Sequence, residues 1–113
     1  MPVIRSDAAL QCASRHNTKW LVDNKEYLGH DSPGGALGDY FWQRPSNAGF
    51  TGGLIGENVT FRPTARVAVD SWLNSKAGHC ENLMAANAVV VGIGFHLSDY
   101  YNHGSFTMIT GVP

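Results

Sequence analysis

The sequence predicts a single α+β domain, in which helices occupy the first two thirds of the chain and strands come last. Two observations support this prediction. Apolar residues recur at a three-to-four spacing after Ala8 and again after Pro63, whereas residues 88–97 form a run rich in valine and isoleucine without helical phase. The length of 113 residues is that of one domain, covering residues 1–113.

The first predicted helix begins at Ala8, because Ser6 or Asp7 can cap it. Its apolar spacing continues to about Tyr27, and Gly29 ends it. The sequence therefore predicts one long helix at the start of the chain.

The middle of the chain is predicted to be richer in turns. A loop over residues 31–35 precedes a short helix from Ala36 to Arg44, which Pro45 is expected to stop. Residues 49–56 contain four glycines and are expected to be irregular.

A further helix has Pro63 in its first turn and a bulky stripe that ends at Trp72 and Leu73. Residues 76–78 break this helix, and His79 to Met84 are expected to form one or two further turns.

The last third of the chain predicts two paired strands. Ala88 to Leu97 is expected to be a buried strand, and Ser105 to Gly111 is its expected partner. Residues 98–104 then form the hairpin loop between them.

Composition and charge exclude several classes of function. Eight basic and nine acidic residues give a formal net charge of −1, and no basic run could neutralise a row of phosphates, so nucleic-acid binding is not expected. The longest largely apolar stretch, Leu83 to Phe95, is too short to span a bilayer. No signal peptide is expected in this stretch of sequence, because Met1 to Arg5 leads directly into a helix-like segment.

Three segments place residues capable of chemistry at element boundaries, where binding and catalytic sites tend to be built. They carry His30, Glu57 and His79. Two imidazoles and a carboxylate suit a first shell for zinc or an acid–base pair held by a carboxylate. The alternative is a set of hydrogen-bonded groups that only fasten loops to helices.

The cysteines allow two interpretations. The sequence has no C-x-x-C motif, so Cys12 and Cys80 do not form a metal knuckle. They are either two buried thiols or one long-range disulfide, which would indicate an oxidising compartment.

The order of these motifs resembles the CAP superfamily, also called the SCP or cysteine-rich secretory protein domain, and specifically its short bacterial branch. The resemblance runs in order through AALQCASRH at 8–16, GHDSP at 29–33, AGF at 48–50, GENV at 56–59, VDSWLNS at 69–75, GHCENLM at 78–84, VGIG at 91–94 and the strand at 106–111. It covers nearly the whole chain.

This resemblance implies a three-layer α-β-α sandwich with a central antiparallel sheet. It also implies that His30, Glu57 and His79 converge in one cleft, with a metal held by these three residues. Ser75 stands where many members carry a glutamate, so the cleft has one carboxylate fewer and a weaker metal site is expected.

Two further expectations follow from the resemblance. Bacterial relatives often pair the cysteines at the positions of Cys12 and Cys80, which implies a disulfide here. Relatives also usually carry a helix before the segment that begins this chain, and its absence is expected to leave a sheet face uncovered unless another subunit covers it.

The resulting functional hypothesis is a secreted or envelope-associated binding domain, located outside the cell, in the periplasm or in the cell envelope. Its cleft would bind a divalent cation, zinc above all, or a small ligand; a lipid, a cell-envelope component or a protein are the other partners considered. The alternative is a metal-dependent hydrolase, a peptidase or nuclease, in which His30 and His79 hold the ion and Glu57 ligates it or acts as general base. Binding is preferred to catalysis because the sequence offers no recognisable nucleophile.

Overall fold

The computed structural model describes residues 4–83, 90–100 and 102–113. Its elements are, in chain order, β1 (Arg5–Ser6), α1 (Ala8–Asp23), α2 (Gln43–Asn47), β2 (Gly53–Arg62), α3 (Ala65–Leu73), α4 (His79–Leu83), β3 (Val90–Leu97) and β4 (Gly104–Val112).

The described strands form one sheet in the order β1-β3-β4-β2. β4 pairs antiparallel with both β3 and β2, and only the short β1 runs parallel to its neighbour β3. Because β2 lies at the end of this order, it is an edge strand, and the site described below is built around it.

Helices cover both faces of the sheet. Leu10 and Ala13 of α1 pack with Ile109 on one face, whereas Trp72 of α3 packs with Met108 on the other. Residues 108 and 109 are neighbours on β4, and side chains of neighbouring residues on a strand point to opposite faces. The predicted α+β class and α-β-α sandwich are thus confirmed.

α1 lies unusually close to β3. A Cβ atom at Gly92 would come within 2.1 Å of the backbone nitrogen of Gln11, and one at Gly94 within 2.4 Å of that of Arg15. Only glycine allows the helix backbone to rest directly on the strand at these two positions.

The first helix ends earlier than predicted. Its last residue is Asp23 rather than Tyr27, because the N–H of Asn24 bonds to Trp20 O and Lys25 takes a left-handed φ of 57°. The apolar spacing after Asp23 therefore belongs to a loop.

The second predicted helix is displaced along the chain. Residues 36–42 form turns and bends, and α2 begins at Gln43. Pro45 was expected to stop a helix but lies in the first turn of α2, where a missing N–H leaves no intrahelical hydrogen bond unmade.

Strand β2 was missed by the prediction, which treated residues 49–56 as irregular. It pairs with β4 from Gly53 opposite Val112 to Arg62 opposite Gly104. Glu57, Asn58 and Thr60 are buried polar residues on this strand, so it lacks the apolar alternation by which strands are recognised.

The bounds of the remaining predicted elements agree with the structure to within a few residues, but β3 is not the buried strand that was expected, because Ile93, Phe95 and Leu97 are exposed. α3 starts after its cap Thr64, so Pro63 precedes the helix rather than opening it. α4 starts at His79 as predicted, while Met84 and the expected strand residues 88 and 89 lie outside the described residues. No helix in the described ranges is long and apolar enough to cross a membrane.

Candidate functional site

Glu57 is the centre of the candidate site. It lies in the middle of β2, opposite Ile109 of β4, and its side chain is almost completely buried. A buried carboxylate is stable only when hydrogen bonds or an opposite charge compensate for its lost hydration.

Arg44 of α2 supplies that compensation. Its Nη2 donates to Glu57 Oε2 at 2.7 Å, and its side chain is buried to the same degree as that of Glu57. Its Nη1 donates to Ser32 Oγ at 3.1 Å, and Ser32 Oγ donates to Asn17 Oδ1 at 2.8 Å. The Asn17 amide nitrogen in turn bonds to Gly29 O and to Thr107 Oγ1, both at 3.1 Å.

This chain of contacts, from Asn17 through Ser32 and Arg44 to Glu57, is called the Arg44–Glu57 network below. It connects α1, the loop after it, α2 and β2. Its members hold one another in fixed positions, so the free oxygen of Glu57 has a defined place.

His30 forms a hydrogen bond with the other carboxylate oxygen of Glu57. Its Nδ1 lies 2.9 Å from Glu57 Oε1, and because a carboxylate can only accept, Nδ1 carries the hydrogen. The imidazole itself is 51% exposed. The hydrogen bond to Glu57 raises the pKa of His30 above its ordinary value, while partial burial opposes this rise.

A surface hollow of about 570 Å³ opens beside His30. Its lining comprises Trp20, Leu21, Glu26, Leu28, Gly29, His30, Asp31 and Pro33. The hollow thus combines apolar side chains with one oriented imidazole and two carboxylates, and its volume is in the usual range for small-ligand sites.

His79 is held in a different way. Its Nδ1 lies 2.8 Å from Ser75 Oγ, and Ser75 Oγ accepts from the N–H of Ala77 at 3.1 Å. Because a hydroxyl oxygen has two lone pairs, Ser75 Oγ either donates to His79 Nδ1 or accepts from it, according to the tautomer of the imidazole. The carbonyl of His79 accepts from Asn58 Nδ2 at 2.8 Å, which attaches the start of α4 to β2.

The four predicted cleft residues form two pairs. His30 bonds to Glu57, and Ser75 bonds to His79. Within the described ranges, no hydrogen bond connects one pair to the other. Because Glu57 and Asn58 are neighbours on β2, the pairs are attached to opposite faces of the same edge strand. The convergence of all four in one cleft stays a prediction.

The donor set does not suit a metal held by all three predicted ligands. Both oxygens of Glu57 already have partners, His30 and Arg44. In the part of the chain that the structure describes, no three His, Cys, Asp or Glu side chains are placed to hold one ion. A three-ligand site of His30, His79 and Glu57 does not fit this arrangement.

The expected disulfide between Cys12 and Cys80 has to be corrected, since both thiols are free. Cys12 is exposed on α1, whereas Cys80 belongs to α4 on the other side of the sheet. A disulfide needs Cα atoms within about 7 Å, and here a sheet separates the two helices.

Sequence reasoning missed Arg44, Ser32 and Asn17 as parts of the site. The usable signal was Asn17, a polar residue within the apolar stripe of α1, where a buried amide needs partners. Arg44 gave no comparable signal, because its burial depends on where α2 begins.

Comparisons with known proteins agree with this fold. The family model described as CAP, cysteine-rich secretory protein family, matches residues 1–110. No curated protein matches the chain.

Two solved structures are similar. An outer surface protein from Borrelia burgdorferi superposes with a TM-score of 0.80 at 20% identity, covering 99% of this chain and 79% of that one. An extracellular protein containing an SCP domain from Bacillus anthracis gives 0.74 at 27% identity, covering 96% of this chain. The chain spans 34% of the length of that second protein.

Proposed function

Because the chain belongs to the cysteine-rich secretory protein (CAP) family, we propose that it is an extracellular or envelope-associated domain that binds a small ligand through His30. The supporting observation is the exposed imidazole of His30, which buried Glu57 holds at the rim of a hollow. The location is supported by the family and by two structural neighbours described as an outer surface protein and an extracellular protein.

We expect the Arg44–Glu57 network to contribute more to the orientation of His30 than to the free energy of unfolding. A buried ion pair such as Arg44–Glu57 adds little net stability, because desolvation offsets the attraction of the charges. It does fix the position of Glu57 Oε1, and hence the direction of the His30 ring. Among the described residues the Nε2 atom of His30 has no hydrogen-bond partner, so it is available to a ligand in the hollow.

The ligand class follows from the lining of the hollow. Trp20, Leu28 and Pro33 offer apolar surface, and the protonated form of His30, which the hydrogen bond to Glu57 favours, offers an Nε2–H donor to an acceptor group. Because Glu26 and Asp31 also line the hollow and would repel a simple anion, we expect a small amphipathic molecule whose acceptor is a carbonyl group or the phosphate of a zwitterionic headgroup. A lipid or a cell-envelope component has this character.

A divalent cation held by His30 and His79 is the second candidate. It is favoured by the tautomer in which both imidazoles carry their hydrogen on Nδ1, directed to Glu57 Oε1 and to Ser75 Oγ, because both Nε2 lone pairs are then available to a metal. A metal bound there would supply a Lewis acid. A hydrolase would additionally need an activated nucleophile, and Glu57 is committed to Arg44 and His30.

The test is a two-dimensional NMR screen of small amphipathic acids, phosphates and short-chain phospholipids, with zinc chloride as a separate arm. Ligands should shift the amide signals of residues 28–32, and His30→Ala should abolish these shifts. His16→Ala, which changes an exposed histidine outside the hollow, should leave them unchanged. Shifts that persist in His30→Ala, or hits that all map elsewhere, would refute the proposal. Zinc should shift the signals of both His30 and His79 only if the second candidate holds.

A further inference from the structure

Strand β3 has an open backbone edge. β4 pairs with it along its whole length, but among the residues in ranges 4–83, 90–100 and 102–113 the other edge is paired only at Val90 and Val91, with β1. The carbonyl of Val91 accepts from Asp7 N on the β1 side. Since backbone groups alternate sides along a strand, the N–H and C=O of Ile93, Phe95 and Leu97 point to the same open edge.

The side chains of these three residues form an exposed apolar stripe. Ile93, Phe95 and Leu97 are 46%, 48% and 61% exposed and lie on the α3 side of the sheet. Proteins usually protect an edge strand with charge, proline or a bulge. Residues 92–97 carry neither proline nor a Lys, Arg, Asp or Glu side chain.

On the α1 side, a groove of about 620 Å³ runs beside this edge. It is lined by Ala8, Gln11, Cys12, Arg15, His16, Lys19, Phe95 and His96. Arg15 and Lys19 give the groove a basic wall, in which Lys19 is ion-paired with Asp23, and no carboxylate is among its described lining residues. A separate hollow of about 670 Å³ lies at the end of β3 and is lined in part by Leu97, Asp99 and Tyr100.

We propose that the β3 edge binds an extended peptide in which acidic and apolar residues alternate, by adding it to the sheet as a further strand. The backbone of Ile93, Phe95 and Leu97 would supply the hydrogen bonds. Alternate side chains of the peptide point to opposite faces. Acidic ones would therefore face Arg15 and Lys19, and apolar ones would extend the exposed stripe.

A second copy of the chain fits this edge less well than a single peptide. Paired strands lie about 4.8 Å apart, whereas packed helices need about 8–10 Å between their axes. Because α1 rests directly on Gly92 and Gly94, pairing two β3 strands would force two copies of α1 into too little space.

The test uses a capped heptapeptide of alternating valine and glutamate, with a valine–lysine heptapeptide as its matched control. Binding is measured by fluorescence anisotropy, and strand addition by NMR hydrogen exchange. The valine–glutamate peptide should bind and slow exchange of the amides of Ile93, Phe95 and Leu97. The lysine peptide should bind about tenfold more weakly, because it opposes the basic wall.

Two variants distinguish the contribution of backbone hydrogen bonds to peptide binding from the contribution of charge. Ile93→Pro removes an edge N–H without touching the ladder to β4 and should weaken binding by about tenfold or more, while Ile93→Val should not. Arg15→Glu changes only an exposed side chain and should reverse the preference towards the lysine peptide. Equal affinity for both peptides, unchanged exchange at the three amides, or a dimer paired through β3 in sedimentation experiments would overturn the proposal.

Discussion

At the scale of single residues, the unusual feature is that a buried carboxylate holds an exposed imidazole. Glu57 bonds to Arg44 with one oxygen and to His30 with the other. Removing one partner of such a buried pair leaves an uncompensated charge, which commonly costs about 3–5 kcal/mol. The ring of His30, half exposed, is the only part of this arrangement that a ligand in the hollow could reach.

The hydrogen bond to Glu57 predicts how His30 responds to pH. The pKa of His30 in the folded protein lies above its ordinary value of 6.5, so the folded state binds the proton more tightly than the unfolded state. The stabilisation is therefore fully present below about pH 6.5 and is lost as the pH rises through the folded pKa.

An NMR titration of the His30 ring should give a midpoint above 6.5, and Glu57→Gln should lower it because the amide carries no charge. Urea unfolding should show that the stability advantage of the wild type over His30→Asn declines across the same range. A midpoint at or below 6.5 would contradict the role assigned to Glu57.

At the scale of elements, the contact of α1 with β3 depends on glycine. The contact places Ser14 beside β3, where its Oγ donates to Gly92 O at 2.9 Å. It also places Asn17 over β4, so the Arg44–Glu57 network depends on this packing.

Gly92→Ala should therefore lower the free energy of unfolding by about 1–3 kcal/mol or more, because its Cβ would overlap the backbone of α1. Gly53→Ala is the matched control on β2, where the new Cβ would meet only a methyl group of Val112 at 3.2 Å. Urea denaturation measures both. A loss for Gly92→Ala no greater than that for Gly53→Ala would contradict the described packing.

The helices and strands differ in how well the sequence predicts them. α1, α3, β3 and β4 are amphipathic or apolar enough to be recognised, and their predicted bounds differ from the observed ones by a few residues. β2 could not be recognised, because Glu57, Asn58 and Thr60 are buried by tertiary partners rather than by hydrophobicity. Arg44 was placed at the end of a helix, and its role became visible only when α2 was found to begin at Gln43.

At the scale of the whole molecule, the hollow beside His30 and the open edge of β3 lie on different parts of the sandwich. The hollow beside His30 lies near the edge strand β2, whereas the open edge of β3 lies two strands away, beyond β4. A ligand at His30 and a peptide at β3 thus have separate sites. The family motifs pointed to His30 and Glu57 in advance, but the geometry of three layers was needed to show that Cys12 and Cys80 stand on opposite sides.

We infer that the Arg44–Glu57 network serves ligand binding by orienting His30. The most direct measurement compares the wild type, His30→Ala and the double variant Arg44→Met with Glu57→Leu, using the tightest ligand from the NMR screen. Replacing the whole pair by apolar residues should leave the free energy of unfolding within about 1 kcal/mol of the wild type, or raise it. Ligand affinity should fall about tenfold in the double variant, as in His30→Ala, because the ring loses its orienting partner. A folded double variant that binds with wild-type affinity would contradict this account.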